Sequence, residues 1–108
     1  MTVSTHVLDA SAGRPAAGVA VSLSRFAVRD TWLPAGSGAT DADGRLRFEE
    51  ETPAGVYRVT FATGAYFAAR GVRTFYPEVV ITFTVGDGEH YHVPLLLSPF
   101  AYSTYRGS

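Results

Sequence analysis

Apolar and polar residues alternate along most of this chain, in short runs interrupted by glycine, proline and aspartate. Residues 19–26 are the clearest case, because valine, leucine and phenylalanine alternate there with serine and arginine. A period of two places every second side chain on one face and predicts a half-buried β-strand. The same reasoning predicts short strands at residues 3–8, 19–26, 32–39, 45–48, 55–62, 79–85, 90–97 and 101–105.

The segments between these strands have the composition of turns and loops. Residues 11–18 are predicted to form a loop, and residues 86–89 a hairpin turn. Residues 41–44 are predicted to form a tight turn in which Gly44 adopts a positive φ and the aspartates accept backbone hydrogen bonds. Residues 64–71 are rich in alanine and bounded by glycines, which predicts one short helix. Seven to eight strands at this spacing predict an all-β, two-sheet sandwich.

Length and composition restrict the possible functions. The 108 residues are enough for a single domain, residues 1–108, and leave no room for a second. A net charge of −1 creates no field that attracts nucleic acid or an anionic membrane. No apolar run is long enough to span a bilayer, and the N-terminus lacks the pattern of a secretory signal, so a cytoplasmic location is expected. The absence of cysteine excludes disulfides and thiolate chemistry.

The three histidines are the main candidates for chemistry. His90 and His92 lie two residues apart in one predicted strand, so both imidazoles point the same way. That spacing is compatible with a general base and a helper, with a metal pair, or with two exposed histidines. His6 lies opposite the valine face of its strand and is turned away from the core. Arg45 and Arg47 share a face of another strand; Arg47 fits a solvated surface, whereas the role of Arg45 stays open.

The predicted strand at residues 90–97 is apolar on both faces near its end. Pro94 and Leu96 follow the two histidines on one face, and Leu95 and Leu97 lie on the other. Such a strand is buried twice, by the core and by a partner. We therefore expect an oligomer interface on the histidine face.

Several motifs resemble those of the transthyretin-like family. Residues 4–9 (Ser-Thr-His-Val-Leu-Asp) resemble its opening strand, and residues 40–45 (Thr-Asp-Ala-Asp-Gly-Arg) its second signature. Residues 90–99, from His-Tyr-His to Ser-Pro, resemble the third. Residues 105–108 (Tyr-Arg-Gly-Ser) resemble the C-terminal tetrapeptide of the 5-hydroxyisourate hydrolase branch. Residues 57–59 and 76–78 fit in between, so the resemblance extends over essentially the whole chain.

This resemblance implies a fold of two four-stranded sheets with one short helix, assembled as a homotetramer that is a dimer of dimers. Two clefts then lie at the dimer–dimer interface. The implied catalytic residues of each cleft are His6, Arg45, His92 and the terminal Ser108. The implied substrate-binding residues are Arg45, Ser108, Tyr105 and His90.

The reaction implied by the resemblance is hydrolysis of a cyclic amide in 5-hydroxyisourate, the product of urate oxidation in purine catabolism. The product is a ureido-imidazoline carboxylate, and no cofactor or metal is implied. An imidazole with a pKa near its ordinary ~6.5 suits the general base at neutral pH. We expect His92, helped by His6, to activate water and to pass its proton to the leaving nitrogen. Arg45 would stabilise the oxyanion, and Ser108 would act through its hydroxyl or carboxylate.

Two other functions are compatible with the same residues. The first is a carrier of hydrophobic hormones, the role of vertebrate transthyretins, because a fold alone does not fix function. Such carriers lack this set of two histidines and an arginine, and they lack the Tyr-Arg-Gly-Ser ending. The second is a metal-binding module that uses His6, His90 and His92 and keeps an open position. A structural sandwich without chemistry would leave the motifs as coincidences, and we set it aside.

Overall fold

The fold is described from a computed structural model that covers residues 2–108. It contains one α-helix, α1 (Thr63–Ala68), and a short 3-10 turn at Val28–Asp30. The strands of the described residues are β1 (Thr2–Asp9), β2 (Arg14–Pro15), β3 (Ala20–Phe26), β4 (Trp32–Ala39), β5 (Arg45–Phe48), β6 (Gly55–Phe61), β7 (Val79–Val85), β8 (His90–Ser98) and β9 (Ala101–Thr104). The predicted all-β class and single short helix are confirmed.

The strands form two sheets. One is five-stranded and has the order β2-β1-β8-β9, with β5 also paired to β1. The other is four-stranded and has the order β4-β3-β6-β7. Strand β8 pairs in parallel with the whole of β1, from Thr2 to Asp9, and therefore occupies one edge of it. Strands β5 and β2 follow one another along the opposite edge, both antiparallel to β1.

The structure corrects the strand count and the size of one sheet. The described residues form nine strands, whereas the sequence predicted seven to eight and the resemblance implied two four-stranded sheets. The additional strand is β2, which lies inside the predicted loop at 11–18 and pairs only with Leu8 and Asp9. A strand of two residues shows no alternation, so periodicity does not reveal it.

The hairpin predicted at residues 86–89 is wrong. The segment has turn character, with Gly88 at φ 75°, but it links β7 of one sheet to β8 of the other. Turn residues predict a reversal of the chain and do not specify which strand the returning segment will pair with. Strand β8 lies in the middle of the other sheet, between β1 and β9.

Burial alternates along β1 as the sequence predicted. Val3, Thr5 and Val7 are buried, while Ser4 and His6 on the opposite face are partly exposed. The buried hydroxyl of Thr5 donates a hydrogen bond to the Val93 carbonyl oxygen at 2.7 Å, which satisfies it inside the core. The face of β1 that carries His6 is therefore free for contacts outside the core.

The inner faces of both sheets form one apolar core. Its largest fully buried side chains are aromatic and lie on β5, β6 and α1: Phe48, Tyr57, Phe61 and Phe67. None of the helices within residues 2–108 has the length and apolar character needed to cross a membrane.

A buried carboxylate connects the end of β1 to α1. Asp9 is 3% exposed and accepts hydrogen bonds from the Ser11 hydroxyl at 2.6 Å, the Ala12 N–H at 3.1 Å and the Tyr66 hydroxyl at 2.8 Å. Burial raises the pKa of Asp9, but these hydrogen bonds outweigh burial, and the pKa falls below its ordinary value of 3.8. Asp9 is therefore charged at neutral pH and holds the helix against the sheet.

Candidate active site

The candidate residues meet on the outer face of the five-stranded sheet, defined here as the side of β1, β5 and β8 turned away from the core. Two strand pairings bring them together. In the antiparallel β1–β5 pair, His6 lies opposite Arg45. In the parallel β1–β8 pair, Ser4 lies opposite His92 and Thr2 lies opposite His90. Neighbouring strands are about 4.8 Å apart, so side chains at these positions are in reach of one another.

A cavity of about 360 Å³ opens on this outer face. Its lining residues come from β1, β5, β8, the turn before β5 and the C-terminal segment: Ser4, Thr5, Asp41, Arg45, Leu46, Arg47, His90, His92 and Ser108. Four of the residues suggested by the sequence are therefore in one cavity. They are Arg45, His90, His92 and Ser108, which are far apart in the chain.

Two sequence-predicted site residues lie beside this cavity. His6 is paired with Arg45 across the strands but does not line the cavity itself. Tyr105 is 59% exposed and lines a second, more apolar cavity of about 560 Å³ that runs towards β7. His92 lines both cavities and therefore stands between Tyr105 and the other candidates.

His92 is held as a neutral imidazole. Burial lowers its pKa below the ordinary value of 6.5, and electrostatic interactions with Arg45 and with the neighbouring His6 and His90 lower it further. A neutral imidazole has one nitrogen that can accept a proton. Near neutral pH His92 is thus in the form that a general base requires.

Ser4 is a functional candidate that the sequence reasoning did not identify. Its hydroxyl oxygen lies 2.8 Å from Nδ1 of His92 and 2.9 Å from Nε2 of His90. The other nitrogen of His90, Nδ1, lies 2.5 Å from the Thr2 hydroxyl. Strand geometry places Ser4 on the same face as His6, but the pairing of β1 with β8 is a tertiary feature that residue spacing does not contain.

Arg45 is positioned by the turn at residues 41–44. One carboxylate oxygen of Asp41 accepts the backbone N–H groups of Asp43 at 2.8 Å and Arg45 at 3.0 Å, as the turn prediction expected. The hydrogen bond from Arg45 lowers the pKa of Asp41, so its carboxylate stays charged beside the cavity. Gly44 adopts φ 76°, and a Cβ there would lie 2.4 Å from the Val7 carbonyl oxygen. The predicted need for glycine at this position is confirmed.

The C-terminal segment folds back over β8. The Gly107 N–H donates a hydrogen bond to the His92 carbonyl oxygen at 2.9 Å. The Arg106 guanidinium donates to Glu89 at 2.8 Å and lies 4.7 Å from the centre of the Tyr91 ring. These contacts anchor the segment on the strand that carries His92, and Ser108 reaches the cavity as a result.

The alternative of a three-histidine metal site does not fit this geometry. Within residues 2–108, no group of three or more histidine, aspartate or glutamate side chains is arranged to hold a metal ion. Both nitrogens of His90 already face hydroxyl groups, and Nδ1 of His92 faces Ser4. His90 and His92 instead form a hydrogen-bonded chain with Thr2 and Ser4.

A known protein family matches nearly the whole chain. The model described as "Transthyretin: HIUase/Transthyretin family" matches residues 3–107. The chain belongs to the HIUase/transthyretin family. The predicted transthyretin-like sandwich is confirmed by this match and by the similarity of the fold to solved structures of transthyretin and 5-hydroxyisourate hydrolase.

Proteins with different functions in the HIUase/transthyretin family are similar to this chain. The 5-hydroxyisourate hydrolase of Salmonella typhimurium is 46% identical over 111 residues, which covers 98% of this chain and 80% of that protein. The structure of the Klebsiella pneumoniae 5-hydroxyisourate hydrolase matches with a TM-score of 0.89 and 44% identity over 100% of both chains. Sea bream transthyretin in complex with thyroxine matches with a TM-score of 0.91 and 37% identity, over 97% of this chain and 93% of that one. The fold is thus shared by hydrolases and by a thyroxine-binding protein.

Proposed function

We propose that this protein hydrolyses the cyclic amide of 5-hydroxyisourate to a ureido-imidazoline carboxylate in purine catabolism. The observation that carries the proposal is the meeting of Arg45, His92 and Ser108 in one cavity, with His6 next to Arg45. The similar proteins of Salmonella and Klebsiella that are named 5-hydroxyisourate hydrolase support the same reaction.

In the proposed mechanism, His92 is the general base. Its burial keeps the pKa below 6.5, so the neutral ring can remove a proton from a water molecule as that water attacks the amide carbonyl. The resulting imidazolium then gives the proton to the nitrogen that leaves. His6 assists this transfer from the neighbouring strand, where it lies opposite Arg45.

Arg45 and Ser108 act on the substrate in this mechanism. The Arg45 guanidinium offers only donors, so it matches the carbonyl oxygen as that atom becomes an oxyanion. Ser108 lines the same cavity and contacts the substrate there. Tyr105 binds the substrate from the adjacent apolar cavity. His90 contacts the substrate with its exposed ring edge, because both of its nitrogens face hydroxyl groups.

We also propose that the protein assembles as a homotetramer, a dimer of dimers, in which the outer faces meet. Leu8 and Leu96 lie opposite one another in the β1–β8 pair, and Leu96 is 37% exposed. The outer face therefore has an apolar end beside the polar cavity, which suits contact with another copy. A monomeric mass in sedimentation equilibrium would contradict this assembly.

The direct test is kinetic. The protein is added to urate freshly oxidised by urate oxidase, and the decay of the intermediate's absorbance is followed. We expect faster decay with the wild-type protein and much slower decay with His92→Ala, since a positioned general base contributes about 10²–10⁴-fold. Equal decay with and without the protein would refute the proposal. Titration with thyroxine, run in parallel, separates hydrolysis from a carrier function.

A further inference from the structure

The hydroxyl of Ser4 lies between two imidazoles, and this arrangement restricts the protons of both rings. Its oxygen is 2.8 Å from Nδ1 of His92 and 2.9 Å from Nε2 of His90. A serine hydroxyl carries one proton, so it can donate to only one of these nitrogens. The other nitrogen must carry a hydrogen and donate it to the serine oxygen. The tautomers of His90 and His92 are therefore coupled through Ser4.

Two arrangements satisfy all the hydrogen bonds of this chain. In the first, Nδ1–H of His92 donates to Ser4, Ser4 donates to Nε2 of His90, and Nδ1–H of His90 donates to the Thr2 hydroxyl. In the second, every one of these hydrogen bonds runs in the opposite direction, and His92 carries its hydrogen on Nε2. Only the first leaves the Nε2 lone pair of His92 available to accept a proton.

The surroundings of His92 favour the first arrangement. The positively charged Arg45 lines the same cavity and acts electrostatically on the His92 ring. A guanidinium has donors and no acceptor, so a lone pair on Nε2 is favourable beside it, whereas an N–H is not. Asp41 lines the cavity but is engaged by its own turn.

We propose that Ser4 is a positioning residue that holds His92 in the Nδ1–H tautomer and keeps Nε2 ready to act as the base. Serine suits this position because its short side chain lets two rings converge on one oxygen. The strand register supports the arrangement, since Ser4 is paired with His92 and Thr2 with His90. The role of His92 as a base rests on the proposed function, whereas the tautomer of His92 is a property of the resting protein.

The first test measures the tautomer without any substrate. Histidine side chains labelled with ¹⁵N are observed by NMR at a pH where His92 is neutral. We expect the wild-type protein to show the Nδ1–H form of His92, and Ser4→Ala to lose that single form. A wild-type His92 in the Nε2–H form would overturn the inference, even if the protein proved to be a hydrolase. The same spectra remain decisive if the protein does not hydrolyse 5-hydroxyisourate at all.

The second test is kinetic and uses matched variants. Loss of a group that orients a metal-ligating histidine costs about 10–100-fold, and by analogy Ser4→Ala should lower kcat by about that factor and leave KM nearly unchanged. Ser4→Thr retains the hydroxyl in a residue that strands tolerate well, and it should restore most of kcat. Ser22→Ala removes an exposed hydroxyl from the other sheet and should retain full activity. Full kcat in Ser4→Ala, or no recovery in Ser4→Thr, would overturn the positioning role.

Discussion

Replacement of Gly107 by alanine should separate the C-terminal segment from the His92 ring. A Cβ on Gly107 would lie 2.5 Å from Cδ2 of His92 and 3.2 Å from both Cγ of His92 and Cγ of Pro94. Ordinary van der Waals contact begins at 3.4 Å, so one of the two partners must move by about 0.9 Å. The backbone of Gly107 is not in the left-handed region, and the substitution therefore introduces this contact without backbone strain.

The segment is expected to move and the ring to stay. His92 is held by Ser4 and by its place in the middle of the sheet, whereas Gly107 is fixed mainly by one backbone hydrogen bond to His92. Displacement of Ser108 by about 1 Å can cost up to about 10²-fold when binding geometry determines the rate. We expect kcat/KM for 5-hydroxyisourate to fall by about 10–100-fold, while the thermal unfolding midpoint changes little.

The comparison variant is Gly71→Ala. Gly71 has φ 68° and open space around its Cβ position, so alanine should lower stability by about 1 kcal/mol and leave kcat/KM unchanged. The reasoning fails if Gly107→Ala retains wild-type kcat/KM, because the crowded Cβ would then have been absorbed without effect on the cavity. A shifted pH profile in Gly107→Ala would show that the surroundings of the His92 ring had changed, which contradicts the expectation that the ring stays in place.

Three further results follow from the charged groups. Arg45→Lys loses the planar fork that binds an oxyanion, so kcat should fall by about 10²–10³-fold in steady-state kinetics, and near-normal kcat would exclude Arg45 from that role. The wild-type rate should rise with pH as His92 loses its proton, with a midpoint below 6.5, and a flat profile down to about pH 5 would contradict a histidine base. Asp9→Asn should lower the urea-derived free energy of unfolding at pH 7 by about 1–3 kcal/mol. Because the pKa of Asp9 in the folded protein lies below 3.8, the stabilisation by its carboxylate is complete above pH 3.8 and is lost as the pH falls through the folded pKa. A mutant with the same acid sensitivity as the wild-type protein would argue against this linkage.

Local pattern predicted those parts of the structure that depend on neighbouring residues. The alternation in β1 predicted that Val3 and Val7 face the core while His6 faces outward, because strand geometry fixes side-chain direction within one strand. The turn before β5 was also predicted, since its glycine and aspartates satisfy local backbone requirements. The grouping of Arg45 with His92 came from the resemblance to a family and is consistent with the cavity that both residues line.

Features that depend on which strands pair were missed for a physical reason. Residues 86–89 have turn composition in either topology, so they did not predict that the next strand joins the other sheet. The contact of Ser4 with His92 requires a parallel pairing between strands more than eighty positions apart, and no local period encodes it. The two-residue strand β2 pairs with the end of β1, which extends beyond β5 and has backbone groups that need partners there.

The separation of the two faces of the five-stranded sheet explains how one fold can serve different functions. The core face of β1 and β8 is set by packing, since Val3, Val7 and Leu95 are fully buried and a change there costs stability. The outer face makes no contribution to that core, so Ser4 and His92 can change without loss of the sandwich. Sea bream transthyretin, crystallised with thyroxine, and the Klebsiella hydrolase match this chain with TM-scores of 0.91 and 0.89, which agrees with a core that does not distinguish them. Function in this family therefore depends on the outward-facing side chains, and in this chain those side chains form a polar cavity beside the neutral imidazole of His92.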